Sequence, residues 1–159
     1  MRVTLIGSGN MATVLGRKIS ESGHIIHQVF SRNAETSQKL ADELSAESVS
    51  EVDENADIYI VAVSDDALQH ITEWLKPIDK LVVHTAGSVS IDVLKGVSAH
   101  YGVAWPVQSI RKETSLIPVL PVVIDANNQW NKMKLSGFVQ SFADLQPTFL
   151  YRFYNSYNV

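Results

Sequence analysis

The chain of 159 residues has no cysteine. That excludes cysteine-ligated zinc, iron–sulfur clusters and thiol catalysis, and leaves no disulfide to staple the fold. It also lacks a surplus of positive charge, with 13 basic side chains against 17 acidic ones and a formal net charge of −4. Lys and Arg stand singly or in pairs, so no basic face meets phosphate backbones or anionic lipid. Neither nucleic acid nor membrane is an expected partner. Long apolar runs are missing too: the strongest, residues 116–124, is broken by Pro118 and Pro121 and falls far short of the roughly 20 residues of a membrane span. Val3, Leu5 and Ile6 behind Arg2 resemble the start of a secretion signal. However, Gly7, Ser8, Gly9 and Asn10 interrupt them well before the roughly 7–15 residues such a segment needs. A soluble, cytoplasmic protein is expected. No GxSxG elbow suggests a serine hydrolase, and no HExxH or other close carboxylate–histidine spacing suggests a metal site.

What is present is enough for one full core. Hydrophobic residues make up 45% of the sequence, and a domain of this length buries roughly 70% of the surface its unfolded chain exposes. A single domain over residues 1–159 is expected.

Short β-branched runs alternate with helical periods along the chain. Residues 3–6 read as a strand. Residues 10–22 carry Met11, Leu15 and Ile19 four apart, and Gly23 stands where a helix stops. A second strand, 25–30, leads to Ser31 or Asn33 as the cap of a helix carrying Leu40 and Leu44. Residues 58–63 are continuously apolar, as in a central parallel strand buried on both faces. Ser64 then reads as a helix cap, Asp65 and Asp66 as partners of the helix dipole, and Leu68, Ile71 and Leu75 as the buried stripe of a helix ending before Pro77. Beyond the strand at 81–84, a short helix at 90–95 and strands at 99–104 and 122–125 follow. A last helix places Trp130, Met133, Phe138, Phe142 and Leu145 on one side, and residues 148–151 form a final strand. Trp74 and Trp130 fit helix core faces, while Trp105 lines a pocket or covers the sheet edge.

The expected fold is therefore α/β: a doubly wound, mostly parallel, Rossmann-like sheet with helices on both faces. Ligands in such sheets bind beyond the carboxyl ends of the strands, so the loops at 7–12, 31–33, 62–67 and 84–88 should converge on one crevice.

Gly7, Ser8, Gly9, Asn10, Met11 and Ala12 match GxGxxA. As bare text the pattern is weak, but here it follows a buried strand and opens an amphipathic helix in a βαβ unit. Gly7 permits the tight turn, Gly9 admits a pyrophosphate close to the backbone, and Ala12 lets helix and strand approach, with Gly16 assisting one turn later. Free N–H groups at the helix start supply the anion site. At the end of the second strand, a cofactor with a free ribose 2′-hydroxyl calls for Asp or Glu. The sequence has Ser31, Arg32 and Asn33 instead. A guanidinium pairs with a phosphate or stacks on adenine, and a serine hydroxyl donates to the same phosphate, which favours NADP over NAD and disfavours FAD. The plainer reading makes Ser31 only a cap and Arg32 a solvated charge. The loop Ala62, Val63, Ser64, Asp65, Asp66, Ala67 should pass beside the nicotinamide ribose. His84, Ser88 and His100 are the remaining polar candidates near strand ends, and a histidine can protonate a carbonyl or imine product. A satisfied structural histidine is the plainer alternative for each.

With these residues, the chain resembles the N-terminal domain of the NADP oxidoreductase family that includes deazaflavin-coenzyme-dependent NADP reductases and pyrroline-5-carboxylate reductases, within the 6-phosphogluconate dehydrogenase-like group. The resemblance rests on Gly7 to Ala12, on Ser31, Arg32 and Asn33, on the stretch 61–67, and on the stretch 84–90. It implies NADP along the ends of the strands at 3–6, 25–30 and 81–84, with the nicotinamide near Ser64 and Thr85. It also implies a C-terminal helical domain for substrate and dimer, which is not expected within these 159 residues, so no catalytic residue carries over. The aromatic ending, 149–157, suggests a chain cut short, a partner chain, or self-association as a homodimer. The leading expectation is an NADP-binding oxidoreductase domain moving hydride to or from a small imine, carbonyl or deazaflavin-type acceptor. The alternatives are a non-catalytic dinucleotide-binding sensor or scaffold, and a lapsed domain that serves only an interface.

Overall fold

The computed structural model describes residues 1–113, 119–148, 151, 152 and 156. Eight strands form one sheet: β1 (Arg2–Ile6), β2 (Ile25–Phe30), β3 (Glu47–Val49), β4 (Ile58–Val61), β5 (Leu81–His84), β6 (His100–Pro106), β7 (Pro121–Ala126) and β8 (Asp144–Gln146). The helices are α1 (Asn10–Glu21), α2 (Ala34–Leu44), α3 (Asp65–Gln69), α4 (Ile71–Trp74) and α5 (Gln129–Gln140), with one 3₁₀ turn at Ile91–Leu94.

Spatial order across the sheet is β3-β2-β1-β4-β5-β6-β7-β8. Every neighbouring pair is parallel except β6 with β7. The chain winds outward from β1 to β3 and then returns to β4, which pairs with β1 on its other side through Val3 opposite Ile58 and Ile6 opposite Val61. That reversal of direction opens a crevice beyond the carboxyl ends of β1 and β4, where helices on the two sides diverge.

Burial follows the patterning. Val3, Leu5, Ile58, Ile60 and Val83 form one cluster with Leu15 and Ile19 of α1, Leu40 of α2, and Leu135 and Phe138 of α5. Ile6, Tyr59, Val61 and Val82 form a second with Leu68, Ile71, Leu75 and Leu94. Adjacent residues of β1 and β4 thus belong to opposite layers, which is why β4 is apolar at every position. Gly23 has φ +85°, the left-handed turn that ends α1.

Several expectations need correction. The apolar run at 58–63 leaves the sheet after Val61, so Ala62 and Val63 belong to the loop. The helix expected between Ser64 and Pro77 is two short ones, because His70 departs from helical geometry at φ −105°, ψ 18°. The helix at 90–95 is a 3₁₀ turn. Strands β3 and β8 lie in stretches with no apolar alternation to mark them. The final strand is β8, before residues 148–151; Thr148 is in a turn, Tyr151 is helical, and residues 149 and 150 lie outside the described set. Trp130 and Met133 do not face the core: they are 75% and 61% exposed, while Leu135, Phe138 and Val139 are buried. Most of the aromatic ending falls outside the described residues, but Tyr151 is buried and its hydroxyl donates to the Val89 carbonyl at 2.6 Å. Among the described residues, no helix is long and apolar enough to cross a membrane.

Candidate dinucleotide site

Gly7 shapes the floor of the crevice. Its φ is +122°, and a Cβ there would stand 2.2 Å from the carbonyl oxygen of Ala62. Its N–H donates to the Phe30 carbonyl at 2.7 Å. Only glycine lets the chain turn sharply off β1 while touching the ends of both neighbouring strands.

Gly9 caps α1 in extended conformation, and nothing lies within 4 Å of where its Cβ would be. The helix that follows has no side-chain cap and no acidic residue in its first turn. Its neighbours are built differently. Asn33 accepts from Thr36 N–H to cap α2, Ser64 from Ala67 N–H to cap α3, and Asn128 from Asn131 N–H to cap α5. The start of α1 therefore presents amides and the positive end of a helix dipole to open space, the arrangement that receives a phosphate.

The crevice has a volume of about 410 Å³. Of the residues singled out from the sequence, Gly7, Ser8, Gly9, Asn10, Met11, Ser31, Arg32, Ala62, Val63 and Ser64 line it together. Ala12, Ala67 and Thr85 are buried and stand outside the lining. Among the described residues, no carboxylate and no histidine lines the crevice. A polyanion placed there meets an electropositive helix end and no opposing charge.

At the end of β2 the hydroxyls are linked. Ser8 donates to Ser31 Oγ at 2.9 Å and lies 2.7 Å from Thr36 Oγ1. Ser31 Oγ also accepts from Asn33 N–H at 3.3 Å. Ser31 and Asn33 therefore divide the work expected of either one: Asn33 caps the helix, and Ser31 joins the first loop to the second. Arg32 is exposed and makes no ion pair among the described residues. A free guanidinium next to linked hydroxyls suits a phosphate dianion.

The β5 side of the rim is closed. Ser88 donates to Asp65 at 2.7 Å, tying the two loops together. His84 is fully buried; its Nδ1 accepts from Ala86 N–H at 3.1 Å, so the neutral ring carries its proton on Nε2. Burial pushes its pKa down to about 4. Its Nε2 is buried with no hydrogen-bond partner among the described residues, and the ring does not line the crevice. His100 begins β6 opposite Leu81, at the amino rim and away from the crevice. Trp105 packs on Gly87, where a Cβ would stand 2.2 Å from the indole, and so covers the loop after β5.

Sequence reasoning missed Ile6, Phe30, Thr36 and Trp74. Phe30 and Trp74 line the crevice and lie parallel, with ring centroids 6.1 Å apart and 10° between planes. Trp74, expected in the core, is only half-buried. It ends the short helix that follows the break at His70, a break that the apolar periodicity does not announce.

Residues 2–95 match the family described as NADP oxidoreductase, coenzyme F420-dependent. The chain belongs to that family. No curated protein matches it by sequence. Among solved structures, it is 30% identical to an NADP oxidoreductase of Bacteroides fragilis, with a TM-score of 0.82, covering 98% of this chain and 63% of that one. It shares its fold with a 1-pyrroline-5-carboxylate reductase of Streptococcus pyogenes at 15% identity and a TM-score of 0.74, covering 92% of this chain and 57% of that one. It likewise shares its fold with an imine reductase of Myxococcus stipitatus in complex with NADP+, at 17% identity and a TM-score of 0.69, covering 99% of this chain and 58% of that one. The chain thus spans about three fifths of the length of these relatives.

Proposed function

We propose that this chain is the NADP-binding part of an oxidoreductase that moves hydride to or from a small imine, carbonyl or deazaflavin-type acceptor. The observation that carries the reading is the bare start of α1 in a crevice without carboxylates. In this reading the amides after Gly9 hold the diphosphate, with Ser8, Asn10 and Met11 around it. Ser31 and Arg32 hold the 2′-phosphate. Ala62, Val63 and Ser64 flank the ribose toward the nicotinamide. Ala12, Ala67 and Thr85 act from behind the lining, keeping helix and loops close to the strands.

The bound nucleotide supplies the hydride donor or acceptor. The chain's own residues bind and orient it and shield one side from water. None of the lining side chains is an acid or base near neutrality, so proton transfer falls to groups on the substrate side. The same fact favours a second reading, a dinucleotide-binding module that senses or scaffolds without turnover.

Titration with NADPH and NADH tests the first claim. Arg32→Ala should weaken NADPH about ten- to a hundredfold, as for the loss of a charged hydrogen bond, and barely change NADH. Equal losses for both would overturn the NADP assignment. Tight NADPH binding without turnover on imines, ketoacids or deazaflavin would favour the module.

A further inference from the structure

The loop after β5 is held from three directions. Ala86 N–H donates to Nδ1 of His84 at 3.1 Å, Ser88 Oγ donates to Asp65 at 2.7 Å, and the Val89 carbonyl accepts from the hydroxyl of Tyr151 at 2.6 Å. The first two partners belong to β5 and to the helix start beside Ser64. The third comes from 62 residues further along the chain. Tyr151 is buried and packs with Val103 of β6 and Val123 of β7. The chain is fastened on both sides of it. Thr148 Oγ1 donates to the Ile124 carbonyl at 3.0 Å, and Arg152 pairs with the buried Asp125 through Nε and Nη2 at 3.0 and 3.3 Å. Two anchors on β7 thus fix the point from which the phenol reaches Val89. A side chain already ordered by packing loses little further entropy in making its hydrogen bond, so the contact restrains the loop.

We propose that Tyr151 is a positioning residue for the nicotinamide side of the crevice. It acts through others: its hydroxyl sets Val89, the neighbouring Ser88 holds Asp65, and Asp65 directly follows Ser64, which lines the crevice. The inference rests on the dinucleotide reading above, in which Ala62, Val63 and Ser64 flank the ribose toward the nicotinamide. It adds that the segment beginning at Thr148, distant in sequence from the glycine turn, sets how firmly that wall stands. The opposite side of the crevice does not depend on this brace. Ser8, Ser31 and Arg32 stand on the loops after β1 and β2, which carry their own hydroxyl links.

The test uses the intact chain, with NADPH and adenosine 2′,5′-bisphosphate as ligands. Tyr151→Phe removes the hydroxyl and keeps the ring in its apolar seat. NADPH should bind about two- to tenfold more weakly, the range of one neutral hydrogen bond, while the bisphosphate, which lacks the nicotinamide half, binds as before. A tyrosine that merely supported the fold would weaken both ligands alike. Ser88→Ala breaks the next link and should show the same selectivity. The double variant should lose less than the product of the two single losses, since both act through one loop. Amide exchange reads the brace without any ligand: the Ala86 N–H should exchange faster in Tyr151→Phe by a similar factor. Equal losses for the two ligands, wild-type NADPH affinity in a folded Tyr151→Phe, or simply multiplied losses in the double variant would overturn the positioning role while the dinucleotide reading stands. If wild-type protein binds no NADPH at all, it is the dinucleotide reading that fails, and unchanged exchange at Ala86 would overturn the brace as well.

Discussion

The carboxyl rim of the sheet has two halves that follow opposite rules. Beyond β1 and β2 the chain leaves its polar groups available: α1 has no cap, Gly9 faces open space, and Arg32 makes no ion pair among the described residues. Beyond β4 and β5 it pairs most of them within the chain, the buried Nε2 of His84 excepted. Ser64 caps α3, Asp65 and Asp66 sit in the first turn of that helix, Ser88 binds Asp65, and His84 accepts from Ala86. Both halves are strand-to-helix turns on neighbouring parallel strands, so the fold itself does not require the difference. A helix start with Gly at its Ncap forgoes a few tenths of a kcal/mol relative to a side-chain cap, and a further roughly 0.3–1 kcal/mol relative to one that is charged. That cost has a purpose if a ligand supplies the missing partner. The closed half, by contrast, would then be the wall against which that ligand is positioned.

The largest effect should come from breaking the turn that makes the open half possible. Gly7→Val places a branched side chain at positive φ against the Ala62 carbonyl. Strain plus steric displacement should destabilise the protein by about 3 kcal/mol or more and abolish nucleotide binding, measured by denaturant unfolding and by titration. A variant of wild-type stability would mean that β1 and β4 are not held together through this turn.

In the closed half the second-largest effect should appear with pH. His84 has a pKa of about 4 in the folded chain and an ordinary value of 6.5 when unfolded. The unfolded chain therefore binds the extra proton first as pH falls. The stability due to the neutral ring is full above about 6.5 and lost progressively down to about 4, a change on the order of 3 kcal/mol. Denaturant midpoints measured from pH 7 to pH 4 should fall accordingly, and less steeply in His84→Asn. The same slope in both proteins would show that His84 is not the group responsible.

Much of this contrast is legible in the order of the amino acids. GxGxxA marks the open turn because its glycines obey local sterics, and Ser64 followed by Asp65 and Asp66 marks the closed one because capping is a short-range interaction. The six-residue strand β2 and the start of α1 are clear for the same reason. What sequence reasoning misses depends on distant contacts. Strands β3 and β8 have three residues each and take their identity from pairing with β2 and β7. Trp130 fits a helical stripe but faces solvent, because the period alone does not say which side the sheet occupies. Trp74 lines the crevice from a short helix that follows a break at His70, His84 is fully buried, and Ser88 is taken up by Asp65, 23 residues away in the chain.

The sharpest test of the comparison gives the open half the rule of the closed one. Gly9→Asp places a carboxylate at the Ncap of α1, in an extended conformation that Asp accepts and with nothing within 4 Å to obstruct it. An Asp cap improves on Gly by a few tenths of a kcal/mol, and its charge adds roughly 0.3–1 kcal/mol through the helix dipole. The variant should therefore unfold at a higher denaturant concentration than wild type. The same carboxylate occupies the amides and repels the phosphates they would receive, so NADPH affinity should fall at least about tenfold, the equivalent of one lost charged hydrogen bond. The two measurements should move in opposite directions. A gain in stability with unchanged affinity would place the anion elsewhere in the crevice, and a loss of both would mean that the start of α1 is shaped by packing rather than held in readiness for a ligand.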